Sequence, residues 1–126
     1  MTTWYVLVEE DTRETKYAEG VELKLHRWKL VATRGVGSTA EEAAAEAERL
    51  ALRHVPAVIA RHARPGDQPA REAYLTPDGS WVVSVRQRGR EAHVRVSVAR
   101  LMHQQAESEA EAPASASWKE KLRKAF

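Results

Sequence analysis

Between Ser38 and His54 the chain reads STAEEAAAEAERLALRH, and no other stretch restricts the fold so tightly. Ser38 and Glu41 hold the S-x-x-E spacing of a capping box, whose two side chains take up orphan N–H groups of a first helical turn. Glu41 and Glu42 then stand at the positive end of the helix dipole, with Arg49 and Arg53 toward the negative end. Ala43, Ala47, Leu50, Ala51 and His54 recur at helical spacing, which predicts one shallow apolar face anchored by Leu50. A helix faced with alanine can lie close against a sheet. The rest of the chain is expected to supply that sheet.

Strand signals flank the helix on both sides. Trp4 to Glu9 is apolar on both phases, as a central strand is, whereas Asp11 to Gly20 is polar, ends in glycine and reads as a loop or loose hairpin connection. From Val21 the alternation returns: Val21, Leu23 and Leu25 share one phase, then Trp28, Leu30 and Ala32 take the other. Such a switch predicts a β-bulge near His26-Arg27, or two short strands broken by a turn. Beyond the helix, Val55-Pro56 ends or kinks it, and Pro56 can open a second short helix. Residues 64–70, RPGDQPA, read as a surface loop. Glu72 to Thr76, Trp81 to Gln87 and Glu91 to Val98 then form a three-stranded meander, reversed at Pro77-Asp78-Gly79-Ser80 and at Arg88-Gly89-Arg90. Leu101 and Met102 are expected on a last helix capped by Ser97.

These elements predict an α+β domain over residues 1–103: a twisted, mostly antiparallel sheet of about five strands in ββ-α-βββ order, with one main helix on one face. Its core should comprise Trp4, Val6, Val8, Leu23, Leu25, Leu30, Leu50, Trp81, Val83, Val94 and Val96. Residues 104–117 form a polar Ala/Glu/Ser linker, and residues 118–126 a distinct basic, amphipathic tail. The order helix, three strands, helix from Ser38 onward resembles the topology of the double-stranded RNA-binding domain. That family opens its second helix with lysines. The matching stretch here, ARLMHQQAES, holds only Arg100, so no residue is carried over.

Composition narrows the chemistry. With no cysteine, disulfides, thiolate catalysis and sulfur-ligated zinc are excluded. The opening MTTWYVLVEEDT lacks the pattern of a signal peptide, which predicts a cytoplasmic protein, and the weight of Ala, Arg, Glu and Val suits a GC-rich bacterial coding sequence. Asp11, Asp67 and Asp78 fall in predicted loops and are accounted for by turn chemistry. The five histidines form no metal-ligand spacing, and Gly35-Val36-Gly37 lacks the third glycine and the lysine of a phosphate-binding loop. No catalytic residue, metal site or cofactor is assigned.

Two binding signals remain. From Trp81 to His103 five arginines face one glutamate, a net of +4, while Ser38 to His54 nets −2. Lys24, Arg86 and Arg95 are expected on the outer sheet face with Arg88 and Arg90 in the adjoining turn, a basic surface for nucleic acid, although the tryptophans fall on apolar phases and leave that face without stacking aromatics. The second signal is sharper. In a helix, Trp118, Leu122 and Phe126 lie along one side, and the rest carries Lys119, Lys121, Arg123 and Lys124 against Glu120, a net of +3. Nine residues are too few for a stable isolated helix, so these anchors call for cover by a partner protein, by the chain's own domain or, with little area to bury, by a membrane surface. The 14-residue linker reaches roughly 20 Å as a coil, enough for either of the first two. The sequence therefore predicts a small non-enzymatic interaction module that docks to a larger protein assembly through Trp118, Leu122 and Phe126, with Lys121 and Arg123 setting salt sensitivity.

Overall fold

A computed structural model describes residues 3–111, and within them every side chain except those of residues 12–18 and 23–26. Five strands, β1 (Trp4–Ala18), β2 (Val21–Gly37), β3 (Ala70–Leu75), β4 (Trp81–Gln87) and β5 (Arg90–Arg100), form one antiparallel sheet in the order β2-β1-β5-β4-β3. Between β2 and β3 run helix α1 (Ala40–Arg53) and the single turn α2 (Ala57–Ala60). The α+β class and the ββ-α-βββ order are those the sequence predicts.

Alternation decides which face is covered. Val6 and Val8 of β1, Val83 and Val85 of β4, and Ala92, Val94 and Val96 of β5 point to one side and are buried. Onto them α1 lays Ala43, Ala47 and Ala51, spaced four apart and fully enclosed, while α2 adds Ile59. The methyl side chains bring the helix axis close to the sheet, so alanine rather than Leu50, which is only partly buried, makes the central contact. Each enclosed valine contributes about 1.5–3 kcal/mol before chain entropy is subtracted. Arg71 of β3 closes the end of α1: its Nη1 donates to the Ala51 carbonyl at 3.0 Å, one of the acceptors a helix C-terminus leaves open. Val55-Pro56 stops the helix, with His54 as an extended C-cap.

Several expectations are corrected. The helix begins one residue late, because Thr39 is the N-cap and its Oγ1 accepts from the Glu42 N–H at 3.2 Å. Asp11 to Ala18 is strand, not loop: β1 pairs with β2 out to Ala18↔Val21, across a two-residue turn with φ of 53° at Glu19 and 77° at Gly20. Positive φ at both positions matches the right-handed strand twist and carries the ladder through the polar stretch. β5 accompanies β1 only as far as Glu10, so the rest of the hairpin projects as a two-stranded arm. The bulges do not lie at His26-Arg27, which stay in register, but opposite Trp4/Tyr5 and Val8/Glu9, where Val36 and Val31 are the extra residues of β2. Val31 reverses the phase, so Ala32 faces the helix and Leu30 does not. Leu30 is 51% exposed and lies outside the core. The side chains of Leu23 and Leu25 lie outside the described residues. Residues 101–111 carry no helix or strand, so Leu101 and Met102 stand exposed and the second helix of the RNA-binding topology has no counterpart there. The meander turns follow expectation: Gly79 is left-handed at φ 88°, and Arg88-Gly89 reverse β4 into β5.

Candidate functional site

The outer face of the sheet is covered by no described element, and its side chains line up in rows across the strands. Register sets Leu30 (β2), Glu9 (β1), Arg95 (β5), Val82 (β4) and Tyr74 (β3) side by side. Within this row Arg95 donates Nε and Nη2 to the two Glu9 oxygens at 3.0 and 2.9 Å, a bidentate pair that raises the guanidinium pKa further. The same guanidinium lies 4.7 Å from the ring centroid of Trp28, which is 38% exposed. The indole thus stacks with a guanidinium that is itself ion-paired, and it stays partly exposed. Leu7 and Tyr5, both half-buried, continue the apolar surface along β1.

The remaining ionisable groups of this face are also engaged. Arg86 bonds Glu72 at 2.6 Å, and the Tyr74 hydroxyl donates to the other Glu72 oxygen at 2.8 Å. His93 lies 3.4 Å from Glu91 and 3.8 Å from Asp11, and Ser84 donates to Glu91. On β1, β3, β4 and β5, Glu9, Asp11, Glu72 and Glu91 stand against Arg86 and Arg95, so the described side chains of these four strands on this face net −2 with histidine neutral. The five residues expected to make one basic surface are divided: Arg86 and Arg95 are on the outer face and ion-paired, Arg88 and Arg90 turn toward the α2 side, and the Lys24 side chain lies outside the described residues. The aromatic expectation is corrected too, because the phase reversal at Val31 puts Trp28 on this face. The tail, with Trp118, Lys121, Leu122, Arg123 and Phe126, lies outside the described residues.

At the other end of the helix-covered side, carboxylates hold backbone. Glu10 is 8% exposed; one of its oxygens accepts from His54 Nε2 at 2.7 Å and the other from the Ala57 N–H at 3.0 Å, tying α1 to α2. Asp67 accepts from the Arg64 N–H at 2.8 Å and takes Arg88 in a bidentate pair, which holds its carboxyl below the ordinary range. Asp67 thus joins the loop after α2 to the β4–β5 turn. Between them lie two adjoining cavities that share Arg90. One, of about 220 Å³, is walled by Ile59, His62, Arg64, Gln87 and Arg88. The other, of about 430 Å³, runs beside Glu10, Pro56, Arg61, Glu91 and His93. Arg61 and Arg64 carry no sequence signal beyond their crowding into RHAR before a proline.

Among the described residues, no group of three or more His, Asp and Glu side chains could hold a metal ion, and no helix is long and apolar enough to cross a membrane. No family model matches this sequence, and no curated protein and no solved structure matches it significantly.

Proposed function

We propose that this protein is a non-enzymatic interaction module that joins a larger protein assembly, with the outer sheet face as its rigid contact surface and the tail peptide 118–126 as a second, tethered one. The observation that carries the reading is the exposed Trp28–Leu30 pair beside the Glu9–Arg95 ion pair. An indole and a guanidinium already ordered in the free protein lose little entropy on contact, and tryptophan and arginine are the residues on which binding energy concentrates. Because Glu9 and Arg95 cancel, the partner needs an apolar surface here rather than a charged one. The tail, by contrast, asks for an apolar groove rimmed with carboxylates, to receive Trp118, Leu122 and Phe126 along with Lys121 and Arg123.

Quantitative co-purification from cell extract tests the reading with full-length protein. Leu30→Asp and the pair Trp118→Ala with Leu122→Ala should each reduce recovery of the same protein. Leu52→Asp, at an equally exposed leucine on α1, should not. Equal recovery by all three variants would remove the proposal. A basic-surface contact with nucleic acid has less support, since Arg86 and Arg95 already have carboxylate partners.

A further inference from the structure

We infer that the 220 Å³ cavity between the loop after α2 and the β4–β5 turn binds the terminal phosphate dianion of a small phosphate monoester. Its polar lining residues are Arg64, Arg88, Arg90, Gln87 and His62, all of which carry side-chain donors, and no acidic residue is among them. Asp67 cancels Arg88 and fixes it. Arg64 lies within the field of the same Asp67 carboxylate, and Arg90 has no ion pair among the described residues, whereas Arg34, Arg49, Arg86 and Arg95 each meet a glutamate. Three arginines against the single Asp67 carboxylate leave a net of +2, which matches a dianion, and a guanidinium fork can meet phosphate oxygens in parallel pairs.

The site is also built to stay open. Arg64 sits on a loop that Asp67 holds through its backbone N–H, and Ile59 at the base of the cavity is fully buried. Arg90 follows a turn whose two left-handed residues, Arg88 at φ 49° and Gly89 at φ 75°, are set by the hairpin register. The backbone positions of these two arginines are therefore fixed on two separate elements that border one cavity. The larger cavity continues from Arg90 and has both guanidinium and carboxylate walls, so it suits a hydroxylated organic group attached to the phosphate. A phosphodiester chain is a poorer fit: it would need cations along a track, and the nearest outer-face arginines are neutralised.

Isothermal titration of full-length protein at low salt tests this with inorganic phosphate, a nucleoside monophosphate, dimethyl phosphate and a single-stranded oligonucleotide lacking terminal phosphates. The monophosphate should bind saturably and more tightly than inorganic phosphate, while dimethyl phosphate, a monoanion, should bind at least about tenfold more weakly. Arg90→Gln and Arg64→Gln should each weaken the monophosphate by about tenfold or more, and Arg86→Gln should leave it unchanged. The two substitutions lie on different elements, so a folding defect in one leaves the other decisive, and thermal melting identifies which is folded. No saturable binding of the monophosphate in the millimolar range overturns the inference. So does an oligonucleotide that binds more tightly than the monophosphate and loses that affinity in Arg90→Gln.

Discussion

The outer sheet face and the α2 end of the molecule carry the same kinds of ionisable residue and balance them differently. On the sheet, strand register sets carboxylate beside guanidinium, so Glu9 takes Arg95 and Glu72 takes Arg86. At the α2 end the chain turns repeatedly and leaves backbone N–H groups to satisfy, and Glu10 and Asp67 take those of Ala57 and Arg64. Asp67 also takes Arg88, but it is one carboxylate among Arg64, Arg88 and Arg90, so the groups around the smaller cavity net +2. The apolar contact proposed for one surface and the anion site proposed for the other rest on that difference.

The largest expected effect lies at Glu10. Glu10→Ala removes a buried acceptor from both His54 and the Ala57 N–H, and should cost about 1–3 kcal/mol in denaturant unfolding. An unchanged midpoint would mean that backbone anchoring at this end is dispensable. Next comes the helix cap: Thr39→Ala should cost about 1 kcal/mol, and Ser38→Ala should cost far less. On the sheet, Glu9→Gln breaks a half-exposed pair and should cost less than about 1 kcal/mol. It should nonetheless release Arg95 from the Trp28 ring and shift indole emission. If Glu9→Gln proved costlier than Glu10→Ala, the contrast between the two regions would be reversed.

The smallest effect is at Asp67 and appears as pH dependence. Its carboxyl is held below the ordinary range mainly by the Arg88 hydrogen bond, then by the Arg64 backbone N–H. A depressed carboxylate adds stability above its unfolded pKa and loses it as pH falls through the folded value. The advantage of the parent over Asp67→Asn should therefore hold at neutral pH and shrink below about pH 4. Melting curves across that range measure it, and a constant difference would mean that the loop is held by other contacts.

Much of this architecture was legible because independent signals agreed. The alanine spacing of α1, the valine alternation of β4 and β5, and Asp78-Gly79 each favour one local structure, and together they allow one arrangement. What could not be read had physical causes. STAEE holds two overlapping capping boxes, Ser38 with Glu41 and Thr39 with Glu42, and spacing cannot choose between them. Val31 and Val36 look like ordinary strand residues, so the phase reversal that exposes Leu30 and Trp28 was hidden. The charged cavity was harder still, since Arg64 and Arg90 come to one cavity only after β3 and β4 have been placed.

The reading of the outer face as a protein contact is tested most directly by a photo-activatable leucine at position 30 of the full-length protein, compared with the same group at position 52. Both positions are 51% exposed, so reagent access is matched. Irradiation in cell extract followed by mass spectrometry should yield one protein adduct at position 30 that is absent at position 52, and that adduct should diminish in Trp118→Ala with Leu122→Ala. Equal labelling at the two positions, or adducts at position 30 only to residues 118–126 of the same chain, would contradict it.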